Sequence, residues 1–371
     1  MTHWTLTEQD LEAIAIGAGV LGTGGGGNSY LGLLRTRGLV RAGKTINIVR
    51  PCDLADDALV LPIGGIGAPT VGIEKLDEGG EALRVIAAIE RVLGRKVDAL
   101  IADEIGGSNG FSPMIPAAEL GLPVVDADGM GRAFPETQMT SFFIGGQASA
   151  PAALADARGT VMVVTDAPSA NDLEHTMRAA TIAMGCTAMM STAPMSGAFI
   201  KAHGINLSVS LAKGIGMAVI NARRNKTDPV AALNAASGGR VLVTGKAVDI
   251  ARTTTGGFAR GVLTVEGMGA DKGRSLTIDI QNEFIVAREG SEICAMVPDL
   301  ICIVDSETGR PVSTEELRYG LRVSVLCLPA PRKLRSEAAL KVVGPRAFGY
   351  DFDFHPMGAA FEPTQAPEYT P

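Results

Sequence analysis

Residues 81–104, EALRVIAAIERVLGRKVDALIADE, contain the helix and the strand that indicate the class of this fold. Apolar residues recur at helical spacing over residues 81–93, and the apolar run 99–102 has the length and composition of a buried strand. Two acidic residues, Asp103 and Glu104, follow that strand directly. A helix that leads into a short buried strand is typical of a sheet whose faces are covered by helices.

The same alternation of helix and strand patterns extends in both directions along the chain. An N-capped helix is predicted after Thr7, and it runs toward a glycine cluster that begins at Gly17. The remaining patterns predict strands at 46–49, 58–62, 123–125 and 161–164, and helices at 171–184 and 207–222. Together they predict an N-terminal α/β domain with a βαβ-type sheet.

The pattern changes near residue 238. Beyond it, short β-type runs are separated by Gly, Asp, Asn and Pro, at 241–243, 261–265, 276–280, 284–287, 300–304 and 321–328. We therefore expect an α/β domain over 1–237, an all-β domain over 238–330 and a C-terminal extension over 331–371. The extension is rich in Gly and Pro, and its tip at 363–371 is expected to be mobile.

The composition limits the classes of partner and the compartment. Of the 371 residues, 46% are hydrophobic and 20% charged, so the chain can bury a large core. The formal net charge of -7 argues against nucleic acid as a partner, because nucleic-acid binders carry basic patches. The sequence shows no uninterrupted apolar run long enough for a membrane span, no secretory signal pattern and no paired cysteine spacing. We expect a cytoplasmic protein.

A glycine-rich segment raises the question of a nucleotide site. The spacing G-x-G-x-x-G occurs from Gly17 to Gly22 and again from Gly22 to Gly27. A dinucleotide site needs a strand before the turn and an acid about 20 residues after it. Here a helix pattern precedes the turn, and residues 36–49 contain no Asp or Glu. No NAD or FAD site is expected.

The consecutive glycines Gly24, Gly25, Gly26 and Gly27 have two alternative uses. Their accessible N–H groups, followed by Asn28 at the start of a helix, would cradle a carboxylate or an imide oxygen. Alternatively, the turn packs tightly against the sheet. The sequence leaves both open.

Acidic residues follow two of the predicted strands. Asp103 and Glu104 end the first, while Asp126 and Asp128 end the second, with Arg132 a few residues further on. Ligands in open α/β sheets bind beyond the carboxyl ends of the strands, and paired carboxylates shift one another's pKa. The alternative is that each Asp forms a turn or caps a helix.

Two further residues are candidates for proton transfer or nucleophilic attack. His203 precedes Gly204 in a predicted loop and is a candidate general acid, although a structural histidine is the alternative. Cys186 is a weaker candidate, because cysteine is more often a small buried hydrophobe than a nucleophile.

Several of these segments together resemble one bacterial family. They are residues 22–28 (GTGGGGN), 103–107 (DEIGG), 126–136 (DADGMGRAFPE) and 298–301 (PDLI). They resemble the S-methyl thiohydantoin desulfurase-like family, long called domain of unknown function 917, whose members often accompany hydantoinases. The resemblance implies an N-terminal α/β domain, a C-terminal β domain and, in some members, removal of sulfur from a thiohydantoin ring.

The mechanism that we expect is hydrolytic. Water adds to C2 of a thiohydantoin-like ring, the sulfur leaves as sulfide or a thiol, and a hydantoin remains. This requires a base, donors for the anionic intermediate and an acid for the leaving sulfur. We assign Asp103 or Asp126 as the base and His203 as the acid.

The remaining candidates bind the substrate or a metal. Arg132 and the amides of Gly24, Gly25, Gly26 and Gly27 are assigned to the anionic intermediate, and Asn28, Glu104 and Asp128 complete the substrate-binding set. A divalent metal would replace the base by lowering the pKa of its bound water. Its candidate ligands are Asp103, Glu104, Asp126, Asp128 and His203.

A different class of function is also compatible with the sequence. The chain would then be a non-catalytic partner subunit, with its β domain docked on a hydantoinase-type enzyme; a homo-oligomer is a further expectation. The two functions differ in one structural feature: only an enzyme requires the acidic strand ends and the glycine turn to converge on one concave pocket.

Overall fold

The computed structural model describes residues 3–255 and 258–360. The predicted mobile tip, 363–371, lies outside the described residues. Within them, no helix combines the length and the hydropathy needed to cross a bilayer.

The bounds of the elements, in chain order, are as follows. The helices are α1 (Glu8–Leu21), α2 (Ser29–Arg41), α3 (Pro69–Glu74), α4 (Glu81–Leu93), α5 (Met114–Leu120), α6 (Ser141–Ile144), α7 (Ala170–Ala183), α8 (Gly197–His203), α9 (Ser208–Arg224), α10 (Pro229–Ser237) and α11 (Glu337–Val343). The strands are β1 (His3–Thr5), β2 (Asn47–Val49), β3 (Leu59–Gly67), β4 (Ala99–Ala102), β5 (Val124–Asp128), β6 (Ala152–Ala155), β7 (Val161–Val164), β8 (Thr187–Ser191), β9 (Met195–Ser196), β10 (Ile205–Asn206), β11 (Arg240–Thr255), β12 (Phe258–Gly267), β13 (Ser275–Gln281), β14 (Glu283–Glu289), β15 (Glu292–Met296), β16 (Leu300–Asp305) and β17 (Arg322–Leu328).

The N-terminal part is built on a mixed sheet. Its strand order is β1-β2-β5-β4-β3-β8-β6-β7, with β9 and β10 paired at the side. Among the described strands, the parallel pairings join β2, β5, β4 and β3, which form the βαβ-type core that the alternation predicts. The second half of β3, from Gly64 to Gly67, leaves β4 and pairs antiparallel with β8. The ends of β3 and β4 therefore open onto one space in front of the sheet.

The C-terminal part is a seven-stranded antiparallel sheet with the order β15-β14-β13-β12-β11-β17-β16. An α/β part followed by an antiparallel β part confirms the predicted fold class. The β sheet begins at Arg240, and the only helical turn described between 241 and 328 is the short 3₁₀ helix Gly269–Asp271. The domain bounds at 237 and 330 stay a prediction, because residues of both parts share one hydrophobic core.

The first glycine motif lies inside a helix rather than in a phosphate-binding turn. Thr7 caps α1 through a capping box with Asp10, and the helix continues through Gly17 and Gly19 to Leu21. A Cβ on Gly17 would lie 1.9 Å from the carbonyl oxygen of Ala212 in α9. The glycine is therefore needed for close packing of α1 against α9.

The segment after residue 330 packs across both parts. Leu334 and Val343 belong to an apolar cluster that also contains Phe134 from the α/β part and Val286 from β14. This cluster lies beside the turn that follows β5, so the C-terminal segment supports one wall of the candidate site.

Candidate active site

A cleft of about 180 Å³ lies between the carboxyl ends of β3 and β4, the glycine turn before α2, and the turn between β13 and β14. Of the sequence-predicted site residues, it brings together those of the first strand end and part of the glycine turn. These are Gly26, Gly27, Asn28, Asp103 and Glu104.

The glycine turn packs closely against its neighbours, which was one of the two alternatives from the sequence, and part of it also lines the cleft. Gly24, Gly26 and Gly27 adopt positive φ angles of 92°, 74° and 78°, which side chains other than glycine rarely tolerate. Gly24 packs against Phe284, whereas Gly26 and Gly27 face the cleft. Asn28 caps α2 by accepting a hydrogen bond from the N–H of Tyr30 at 2.9 Å.

Asp103 is the first residue after β4, and its carboxyl group is buried without a hydrogen-bond partner on either oxygen. Its backbone is fixed, because its N–H donates to Ile63 and its carbonyl accepts from Gly129. Gly64 makes room for it, since a Cβ there would lie 2.9 Å from Oδ2. Burial raises the pKa of Asp103 to about 7, and nearby Asp128 adds to the rise.

Glu104 lines the cleft beside Asp103 but is held by hydrogen bonds. Its Oε1 accepts from Nδ2 of Asn109, and its Oε2 accepts from the N–H of Phe134 at 3.1 Å. The amide of Asn109 is itself fixed, because its Oδ1 accepts from the N–H of Gly65 at 2.8 Å. Burial outweighs these hydrogen bonds and raises the pKa of Glu104 to about 8.

Glu283, the third carboxyl group, was missed at the sequence level. It is the first residue of β14, and its buried Oε2 has no hydrogen-bond partner. Burial raises its pKa well above the ordinary value, and the charge of Glu104 adds to the rise. Its signal in the sequence is weak, because Asn282 and Glu283 are only a polar pair that interrupts two apolar strand patterns. In the structure this pair forms the turn between the strands, where Asn282 has a φ of 58°.

Arg132 lies behind the cleft rather than in it. Its buried guanidinium donates to Thr23 Oγ1 at 2.9 Å, to the carbonyl of Asp299 at 2.9 Å and to that of Phe284 at 3.3 Å. Burial lowers its pKa to about 10. These contacts join the glycine turn, the segment after β5 and the β part. The guanidinium is therefore hydrogen-bonded within the protein and does not line the cleft.

The acids of the second strand end have local partners and are not among the described residues that line the cleft. The carboxylate of Asp126 accepts from the N–H of Ser210 at 3.0 Å and from its hydroxyl, so it caps the start of α9. Asp128 accepts from three backbone N–H groups, including that of Gly131 at 2.7 Å. The contacts of both are those of caps and turn formers.

His203 and Cys186 also lie away from the described cleft lining. His203 ends α8, and its ring packs on Phe199 with centroids 4.4 Å apart. Cys186 follows α7 at a φ of 67°, and its carbonyl accepts from the N–H of Ala68. Over residues 3–255 and 258–360, no group of three or more His, Cys, Asp or Glu side chains is placed to hold a metal ion.

The fold and the cleft define a class of protein: an α/β part joined to an antiparallel β part, with a carboxyl-lined cleft between them. Two family models cover almost the whole chain. The N-terminal domain of the S-Me-THD-like family matches residues 9–166, and the C-terminal domain matches residues 168–357. The chain belongs to this S-methyl thiohydantoin desulfurase-like family, as its sequence motifs predicted. The two models meet at the start of α7, well before residue 238.

A crystal structure of a protein from Chromobacterium violaceum superimposes with a TM-score of 0.79 at 24% identity, covering 96% of this chain and 100% of that one. At that identity the likeness shows the fold alone. No curated protein matches this chain.

Proposed function

We propose that this chain is an enzyme that removes sulfur by hydrolysis from a thiohydantoin-type ring. One observation carries the proposal: Asp103, Glu104 and Glu283 place three buried carboxyl groups with raised pKa values in one cleft. Such groups destabilise a fold, and they concentrate at sites where protons are transferred. Family membership supports the choice of ring.

The reaction needs an ionised carboxylate and a protonated carboxyl group at the same time. With a pKa of about 7, Asp103 is partly ionised at neutral pH, whereas burial raises the pKa of Glu283 and so favours its protonated form, against the opposing charge of Arg132. Both have carboxyl oxygens without protein partners, so both are available to a ligand. Asp103 is therefore the proposed base and Glu283 the proposed acid.

In the first step, for a 2-alkylthio ring, water attacks C2. One water proton passes to Asp103, the C2–O bond forms, and the electron pair of the C2–N double bond moves to nitrogen, which takes the proton of Glu283. In the second step, the new hydroxyl returns a proton to Glu283 as C2=O forms. The C2–S bond breaks, and the thiolate takes the proton from Asp103. Both carboxyl groups regain their starting states, and the products are a hydantoin and a thiol.

The glycine turn offers donors for the ring oxygen. In the described part of the chain, the N–H groups of Gly26 and Gly27 make no backbone hydrogen bond. Backbone donors that are held in place before the reaction stabilise developing negative charge without reorganisation. We assign them to the exocyclic oxygen of the ring, in place of Arg132.

The convergence of the glycine turn and the first acidic strand end on one pocket supports an enzyme over a non-catalytic partner subunit. The direct test is incubation of the purified protein with 2-methylthio-hydantoin rings in H₂¹⁸O. We expect stoichiometric release of methanethiol, detected with a thiol reagent, and one ¹⁸O atom in the hydantoin, detected by mass spectrometry. Thiol release no faster than in buffer would refute the proposal.

A further inference from the structure

The charged side chains around the cleft restrict the substituent that the ring can carry. The described lining contains five acidic residues, which are Asp77, Asp103, Glu104, Glu136 and Glu283. It contains two cationic residues, Arg35 and Arg178. A substituent with a negative charge therefore meets the charges of Asp77, Glu136 and the ionised fraction of Asp103, whereas the raised pKa values of Glu104 and Glu283 favour their neutral forms.

Both arginines already have partners inside the protein. The guanidinium of Arg35 forms an ion pair with the carboxylate of Asp77 and donates to its carbonyl at 3.0 Å. Arg178 is paired with Glu174, donates to the carbonyl of Pro135 at 3.0 Å and lies over the ring of Phe258. A ligand carboxylate would have to displace one of these partners to form an ion pair with either arginine.

The walls around the charged groups also include apolar side chains. Leu31, Ile66, Leu76 and Met189 all line the cleft. Leu76 is 64% exposed, and Leu31 and Met189 are partly exposed. Covering such surface with an apolar substituent removes it from water, which favours binding.

We infer that the cleft accepts rings with an uncharged apolar substituent at C5 and rejects rings whose substituent carries a carboxylate. The inference rests on the proposed function for the ring itself, and on the charges and apolar walls for the substituent. A carboxylate entering here would lose its hydration, face the acidic groups and find each arginine occupied.

Calorimetry with sulfur-free rings tests the inference without turnover. The probes are 5-isobutylhydantoin and 5-carboxymethylhydantoin at pH 7.5. We expect the isobutyl ring to bind at least tenfold more tightly. In Asp77→Asn, Arg35 loses its ion-pair partner and becomes available to the carboxymethyl ring. The ratio of the two dissociation constants should therefore fall at least fivefold. The matched control is Asp98→Asn, which removes an exposed partner of Arg95 away from the cleft and should leave the preference unchanged.

Three results would overturn the inference: equal or tighter binding of the carboxymethyl ring, no binding of either ring, or an unchanged preference in folded Asp77→Asn. The outcome is separable from that of the proposed function. If the binding preference holds while no 2-alkylthio ring releases thiol, the substituent class stands and the desulfurisation fails. If thiol is released equally fast from both kinds of ring and both bind alike, the desulfurisation stands and the inference about the substituent fails.

Discussion

A buried carboxyl group without a hydrogen-bond partner, such as that of Asp103, costs folding free energy once it ionises. Its pKa is about 7 in the folded protein, against an ordinary value of 3.8. The folded state therefore binds this proton more tightly than the unfolded state does. The stability that this bound proton adds to the folded state is fully present below about pH 4, and it is lost as the pH rises through about 7.

This linkage gives a prediction for Asp103→Ala, which removes the orphan carboxyl group. The difference in melting temperature between the variant and the wild type should become more positive from pH 5 to pH 8, by about 2 °C or more. Thermal unfolding followed by circular dichroism measures it. A difference that does not change with pH would mean that Asp103 titrates normally.

Residue type alone did not show which of the two acidic strand ends would line the cleft. Asp103 follows the last residue of β4, as predicted, and its side chain reaches the cleft. The strand β5 runs to Asp128, three residues beyond its predicted end, so Asp126 lies within it and meets Ser210 of α9. Glu283 was missed because its approach to Gly25 is a contact between residues 258 positions apart. Only the assembled fold brings such groups together.

At the scale of elements, the glycine turn sets the position of Glu283. A Cβ on Gly25 would lie 1.9 Å from Oε1 of Glu283, the far end of a flexible side chain. Gly25→Ala should therefore fold, because the Glu283 side chain can move, but it should lower turnover at least tenfold by displacing the proposed acid. Steady-state kinetics on the methylthio ring measure this effect. Unchanged turnover would indicate that Glu283 is not the acid.

The pairing of α1 with α9 gives a prediction about stability. Gly17→Ala places a methyl group against the backbone of Ala212, which cannot yield as a side chain can. We expect a loss of about 2 kcal/mol or more in unfolding free energy, as in overpacked cores. The control is Gly38→Ala in α2, where no atom lies within 4 Å of the added Cβ and the better helix propensity of alanine should be neutral or stabilising. Urea unfolding compares the two, and equal stability would argue against the tight crossing.

At the scale of the whole molecule, the sequence predicted the two-part architecture because hydrophobic periodicity is a local signal. It did not predict that β3 leaves the parallel core at Gly64 to pair with β8. Glycine has a low strand propensity, so the local pattern gave no strand there. That departure matters, because the side-chain-free Gly64 makes room for Asp103 and so helps to form the cleft.

The two parts depend on each other for the site. The α/β part supplies Asp103 and Glu104, the β part supplies Glu283, and Arg132 joins them through the glycine turn. The fully buried Arg132 offsets part of the cost of burying its charge through these hydrogen bonds between the two parts.

The most direct test of the carboxyl cleft compares Asp103→Asn with Asp126→Asn for single-turnover thiol release from the methylthio ring. Both substitutions are isosteric and both remove a buried acid, but only Asp103 lies in the cleft. We predict that Asp103→Asn loses a factor on the order of 100 or more, as expected for a general base, while folded Asp126→Asn stays within a few-fold of the wild type. Full activity in Asp103→Asn, with the loss in Asp126→Asn instead, would contradict the account.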